Sequence, residues 1–560
     1  MVRPAAGPWL LFLSAAGLAI RLRWAGPADV ADLFPPPDAV QYETAAANLV
    51  AGRGYVLDRD GAIYPPRYPP GFPLLMALGS PLTGTRVGFG IRTVQALSAA
   101  SILIAALLAW RAAGPWAGAA AATILAVSFA HVQYSWIVFA DVPSAGACAL
   151  VGAWALAALR RKSSRVEALA IGLAAGALAL VRTSNVIFLP PLLVVCLVDR
   201  RRRRDLPWLA CLCAAMASGA ALVLLDHGWR FGSPFEAGYS FWLGDGFRPF
   251  SLSTRNYFGR SRFPVPDGPP NLPHYLAVLV GAGELWPWPV GVLLVAGMVV
   301  SARSRDDDAR RLATFTGAFF VATLAFFGAY YWQDKRFLLP LSSFAAAVAG
   351  IPVGLTSPRW ARPAGLALLA IAVVVSLEPY GKGLWAGRIH ERSRVAGMLA
   401  AVDRVAPRDA VVLAPGDPFV ADRLLRMPAH DRPAASTSDR RFVGLGRNWF
   451  EQDSRPRRGG EIQPQRRLPS RGWMLGLLPE PADRAATAAR IAEGLDGGRA
   501  VVLAEPVDAR PWTGWKGGRP APEFARFDFR VVARPPGFVV YQVSRGRGGG
   551  GGSPSAAGPP

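Results

Sequence analysis

The chain has 560 residues, 52% hydrophobic and only 18% charged, with a formal net charge of +23. A soluble chain of that length carries about a quarter charged residues, so the composition argues against an ordinary soluble enzyme and for a membrane protein. The excess of arginine does not imply nucleic acid: Arg160-Arg161-Lys162, Arg200 through Arg204 and Arg303 to Arg311 lie between apolar runs, the placement expected of cytoplasmic membrane loops.

In chain order, Pro8–Ile20 is apolar, follows Arg3 and lacks a small-residue cleavage site, which predicts a first span or signal anchor rather than a removed peptide. A polar loop from 24 to 70 follows. Further spans are predicted at Phe89–Trp110, Trp116–Ala140, Val142–Leu159, Val166–Val181, Val186–Val198, Leu206–Leu225, Tyr275–Val300, Leu312–Tyr331, Phe337–Leu355 and Ala364–Leu377, since roughly 20 apolar residues cross a bilayer as a helix. The fold class is thus mainly α, a polytopic bundle of about eleven spans. Val186–Val198 contains Pro190-Pro191 and is short, so it is expected to be tilted or broken. With a cytoplasmic N-terminus, the loops at Arg111, Arg160–Arg165, Arg200–Asp205, Arg303–Arg311 and Arg359–Arg362 all fall inside. The loops at 24–70, Asp141, Arg182–Asn185, 226–274 and Trp332–Arg336 then fall outside, and the charge bias follows that alternation.

After the transmembrane domain, 1–380, residues 381–545 read as a soluble extracytoplasmic α/β domain. Glu391–Val405 and Asp483–Leu495 have helical spacing, and Ala410–Ala414 and Ala500–Ala504 look like buried strands. Phe527–Ala533 and Phe538–Val543 flank Arg534-Pro-Pro-Gly537 as a hairpin. The basic, proline-rich stretch 428–471 reads as a large flexible loop, and 546–560 as a disordered low-complexity tail.

The first outer loop concentrates the distinctive residues: Asp38-Ala-Val-Gln-Tyr42, then Asn48-Leu-Val-Ala-Gly52-Arg-Gly54, then Tyr64-Pro-Pro-Arg67-Tyr-Pro-Pro-Gly71-Phe-Pro73. Gln41–Val50 is predicted to be a short amphipathic helix ended by the glycines, with Asp38 just before it in the place of a helix cap. The prolines predict a rigid extended return to the membrane.

This loop, its place after the first span and its proline-rich exit resemble the C-type, lipid-phosphosugar-dependent membrane glycosyltransferases, in particular protein O-mannosyltransferases and bacterial aminoarabinose transferases. The resemblance covers roughly the first 340 residues and the general layout of the tail. It implies a multi-span helical scaffold, a catalytic acid in the first outer loop and a soluble domain after the last span. Asp38 then corresponds to the first-loop acid; many relatives carry two adjacent acids, where this chain has Ala39. Asp141, in Phe139-Ala-Asp-Val-Pro143, matches a second acidic position, Arg182 a basic residue after a later span, and Arg336 an Arg-aromatic motif in Asp334-Lys-Arg-Phe-Leu-Leu-Pro340.

The chemistry accounts for these residue types. A polyprenyl-phosphate sugar brings an anionic leaving group, which arginine holds through its two-pronged guanidinium. Arg67, Arg182 and Arg336 are the candidates, with membrane lipid and an acceptor as the other partners. Phosphate departs readily, so one carboxylate suffices to take the acceptor's proton. Asp38 and Asp141 are the candidate catalytic acids and could jointly hold a divalent cation. Arg182 and Arg336 could instead snorkel at helix ends, and Asp141 could cap a span. No cofactor is otherwise indicated: the five histidines stand singly, Cys148, Cys196, Cys211 and Cys213 lie in apolar segments, and no phosphate-cradling Gly-Lys-Ser/Thr loop is present. Glu284 lies in a membrane segment, where an acid is functional by default. A transporter or flippase of lipid-linked sugars is the alternative class; it predicts paired internal repeats and polar residues at mid-span, and no clear repeat is visible. Reporter fusions at Arg203 and Asp403 are expected to give opposite signals, and the same signal at both would reveal a miscounted span.

Overall fold

The structure is a computed structural model that describes residues 15–19, 38–59, 62–83, 89–161, 163–199, 202–236, 238, 252, 257–258, 269–281, 285–330, 333–355, 360–381, 397–398, 400–407, 409–415, 441–445, 481–506, 521–535 and 538–546. Glu284, most of Pro8–Ile20 and the tail beyond residue 546 lie outside this set. The chain divides into two compact units, one covering residues 1–58 and 63–387 and the other residues 59–62 and 388–560.

The first unit is helical: α1 Asp38–Val50, α2 Gly71–Thr83, α3 Phe89–Ala113, α4 Pro115–Val127, α5 Phe129–Tyr134, α6 Asp141–Arg160, α7 Arg165–Val181, α8 Leu189–Val198, α9 Leu206–Phe231, α10 Asn271–Val280, α11 Trp288–Arg303, α12 Asp307–Gly328, α13 Leu339–Gly354 and α14 Ala361–Gly381. Among the described residues, five helices are long and apolar enough to cross a membrane, and six shorter apolar helices accompany them. This is a multi-pass membrane protein. Lys335–Gly354, comprising a 3-10 turn and α13, is the central element, with 94% of its apolar window buried. Phe344 of α13 packs on Phe315 of α12 with centroids 4.7 Å apart, and Phe315 meets Phe188 at 5.3 Å. That aromatic cluster fixes the 3-10 turn Thr183–Phe188, which directly follows Arg182.

Helices α7 and α9 approach through glycines. A side chain on Gly219 would meet the Leu173 carbonyl at 2.6 Å, and Gly172 and Gly176 press equally hard on the α9 backbone. Small residues are what let membrane helices come this close.

Three stretches differ from the hydropathy reading. Trp116–Ala140 is not one span: Ser128 takes an extended conformation, caps α5 by accepting from the His131 amide, and donates to the Leu285 carbonyl at 2.8 Å. Tyr275–Val300 is also divided. Gly281, at φ 107°, ends α10 in the left-handed region, and Pro287 and Pro289 start α11. Summed hydropathy cannot register either break, because both are made by backbone geometry. The proline-rich return becomes helix α2 directly at Gly71, and Asp38 is the first residue of α1 rather than a residue before it.

In the second unit the described strands β1 Val411–Pro415, β2 Arg441–Leu445, β3 Val501–Pro506, β4 Phe527–Ala533 and β5 Phe538–Arg545 form one sheet in the order β2-β1-β3-β5-β4. The β2-β1-β3 pairs are parallel, and β5 runs antiparallel to both its neighbours. Helix α15, Pro481–Asp496, packs Ala488 and Ile491 with Val411, Leu413 and Val501. Strand β2 lies within the stretch expected to be a flexible loop; its pairing with β1 supplies the order its own sequence does not encode.

Replacing Gly219 by Val is expected to destabilise the protein by about 1–3 kcal/mol, the usual cost of overpacking. Ser218→Ala, on the exposed side of the same helix, should leave thermal unfolding in detergent unchanged.

Candidate active site

Four distant segments meet at one end of the helical unit. Asp141 is the first residue of α6, preceded by Ala140 as cap. It faces Arg182, which ends α7, at 2.5 Å. The two groups are close without hydrogen-bond alignment, so this is an ion pair held by proximity in a buried setting. Arg182 also lies over the Phe337 ring, 4.9 Å from its centroid.

Arg336 shares that ring at 5.4 Å and stacks on Phe139 at 4.6 Å. Its guanidinium faces two carboxylates, Asp334 at 3.2 Å and Asp38 at 3.9 Å, and it interacts electrostatically with Asp141 as well. Asp334 is held in place in turn. It caps the 3-10 turn Lys335–Leu338 by accepting from the Arg336 amide at 3.0 Å, and it accepts from the Tyr134 hydroxyl at 3.0 Å. Lys335 has its ammonium 5.5 Å from the Phe129 ring centroid. Among the described residues it has no carboxylate partner.

Asp38 reaches this cluster from α1. One carboxylate oxygen accepts from the Tyr68 hydroxyl at 2.5 Å and the other faces Arg336. Tyr68 is stacked on Tyr42 with centroids 4.7 Å apart, which explains the spacing of Tyr42 from Asp38. The return segment carrying Tyr68 is latched by Arg230 at the end of α9. Its guanidinium pairs with Asp226 and donates to the carbonyls of Pro66 and, at 3.1 Å, Tyr68. Tyr55 donates to the same Tyr68 carbonyl at 2.7 Å. Burial pushes the Tyr55 hydroxyl up in pKa, so it remains a donor.

The five sequence candidates thus separate. Asp38, Asp141, Arg182 and Arg336 come together. Arg67 is buried one residue before Tyr68, its guanidinium 5.9 Å from the Tyr68 ring and its amide 3.4 Å from the Gln41 side-chain oxygen. Asn48 is architectural: it donates to the Val56 carbonyl and accepts from Arg53. Sequence reasoning passed over Asp334, Lys335, Tyr134 and Arg230. The first two stand in the Arg336 motif, where any charge beside a span warrants attention. It also passed over Glu43, fully buried on α1, which accepts from the Gly90 amide and so tethers α1 to the positive N-terminal end of α3. Among the described residues no group of three or more potential metal ligands gathers. The two acids suggested for a shared cation, Asp38 and Asp141, each face an arginine.

The profile of the dolichyl-phosphate-mannose-protein mannosyltransferase family matches residues 67–223, which include Tyr68, Asp141 and Arg182. No curated protein matches in sequence. The crystal structure of ArnT from Cupriavidus metallidurans bound to undecaprenyl phosphate superposes with a TM-score of 0.55 at 14% identity, over 96% of this chain and 98% of that one. The fold is that of ArnT. An oligosaccharyltransferase from Archaeoglobus fulgidus, in complex with Zn and sulfate, is similar with a TM-score of 0.53 at 13% identity, covering 95% of this chain and 72% of that chain. AglB from the same organism, in complex with an inhibitory peptide and a dolichol-phosphate, gives 0.50 at 10% identity, over 96% and 74%.

Removing one member of a buried ion pair strands the other. Asp141→Asn and Arg182→Gln are each expected to cost about 3–5 kcal/mol. The double variant should cost clearly less than the two together, as read from thermal unfolding in detergent. Strict additivity would show that the pair contributes no coupling.

Proposed function

We propose that this protein moves a sugar from a polyprenyl-phosphate carrier to a lipid, glycan or protein acceptor at the extracytoplasmic face of the plasma membrane, with Asp38 as general base. The observation that carries the reading is the convergence of Asp38, Asp141, Arg182 and Arg336 from four separate segments into one charged cluster. The mannosyltransferase profile over residues 67–223 supports it, as do solved relatives of this fold that bind undecaprenyl phosphate and dolichol-phosphate. The cluster lies at helix ends rather than at mid-span, which favours surface chemistry over transport. The charge alternation of the loops supports a cytoplasmic N-terminus and an extracytoplasmic C-terminal unit.

In this mechanism the acceptor hydroxyl attacks the sugar's anomeric carbon, the bond to the phosphate oxygen breaks, and the phosphate departs with both electrons. Asp38 takes the acceptor proton on the oxygen that Tyr68 does not occupy. Arg182 and Arg336 are already balanced by Asp141, Asp334 and Asp38. They hold the three carboxylates in place, while Lys335, with no carboxylate partner among the described residues, makes the direct phosphate contact. Arg67 adds its charge from behind Tyr68. Asp141 acts by holding Arg182.

Incubating the purified protein with labelled polyprenyl-phosphate sugars should consume donor. Asp38→Asn should lower turnover by roughly 10²–10⁴-fold, the range for loss of a general base, with folding and donor binding retained. Lys335→Ala should weaken donor binding by about 1.5–3 kcal/mol, as for a hydrogen bond to a charged group. Near-normal turnover in Asp38→Asn removes Asp38 from the mechanism.

A further inference from the structure

The end of the bundle away from Asp38 has a second charged site, built differently. Helix α6 begins at Asp141 and ends at Arg160, so the two sites are about 30 Å apart at 1.5 Å per residue. A recess there is lined by Arg111 of α3, Arg160 of α6 and Asp308 and Arg311 of α12, over an apolar floor that includes Leu108, Leu156 and Leu312.

Its charges are unevenly matched. Arg160 pairs with Asp308, its Nε donating at 2.5 Å. Arg311 pairs with Asp199 at 2.6 Å and lies 3.6 Å from Asp308. Arg111 has neither an ion pair nor a hydrogen bond to any side chain among the described residues. Arg111 is therefore the guanidinium of the recess without a carboxylate partner among the described residues, and it stands exposed at the rim. The neighbouring Arg202 is a different case. It is buried, donates to the carbonyls of Ala158 and Arg161 and to Ser163, and stacks on Trp208, so its capacity is taken up in stapling the α6–α7 turn.

We propose that this recess binds the phosphate of an anionic membrane lipid. The guanidinium of Arg111 takes the phosphate oxygens, and the leucine floor takes the first carbons of the glycerol and acyl chain. An arginine fork suits two phosphate oxygens, and basic pockets between membrane helices hold anionic headgroups by this combination of charge and apolar wall. The apolar floor distinguishes a lipid from free phosphate. The site is independent of the catalytic assignment, since none of its residues belongs to the Asp38 cluster.

Native mass spectrometry of the full-length protein in detergent, titrated separately with phosphatidylglycerol and phosphatidylcholine, tests the proposal. The wild type should retain phosphatidylglycerol in preference. Arg111→Gln, an exposed change that leaves the ion pairs intact, should weaken that binding about five-fold, the effect of one arginine near an anionic surface. Arg203→Gln, at the same end but outside the recess, should bind as the wild type does. Equal retention of the two lipids, or undiminished phosphatidylglycerol binding by Arg111→Gln, would overturn the site. An equal loss in Arg203→Gln would assign the binding to the basic surface as a whole and overturn it too. Full displacement by inorganic phosphate would make it a free-phosphate site and overturn the lipid assignment.

Discussion

A charge withdrawn from water must be paired, and the Asp141–Arg182 contact is where this protein meets that demand most directly. The pair joins the start of one span to the end of the next, and Arg182 rests on the same aromatic ring, Phe337, that carries Arg336. Arg336 in turn faces Asp334 and Asp38. The first outer loop, the α7 exit and the approach to α13 are therefore set by one shared electrostatic balance. Irregular backbone at membrane depth is tolerated only where protein covers it. The turns around Ser128, Thr183–Phe188 and Lys335–Leu338 lie where these groups meet.

That constraint explains what could be read from the sequence. Asp38, Asp141, Arg182 and Arg336 stood out through the resemblance to lipid-phosphosugar-dependent glycosyltransferases, and a charge beside an apolar run is in any case costly. Their convergence could be anticipated from the alternation of the loops. The long helices were legible for the complementary reason that twenty apolar residues leave little choice. The continuous apolar runs of β1 and β3 and the turn between β4 and β5 were equally plain.

What stayed hidden depends on partners far along the chain. Tyr68 is one tyrosine among many until the return segment brings it to Asp38, thirty residues earlier in the chain. Asp334 reads as a helix-end acid until Tyr134, two hundred residues away, donates to it. Ser128 sits in an apolar run where a hydroxyl carries little weight, yet its bond to the Leu285 carbonyl helps divide a span. Strand β2 could not be found locally, because β1 supplies its order. Which cations already face carboxylates, as Arg182 and Arg336 do, is likewise visible only once the distant segments are brought together.

The latch at Arg230 holds the return segment by the carbonyls of Pro66 and Tyr68 rather than by side chains. A carbonyl is the same in every residue, so this grip is indifferent to what is written at position 66 provided the backbone keeps its path. Tyr68 itself is bound to Asp38 by its hydroxyl and cannot drift so freely. Within a few residues, therefore, the loop combines a stretch that natural variation can rewrite with a single letter that it cannot. Differences in what lines the entrance could accumulate there across descendants of this chain without displacing the carboxylate behind them.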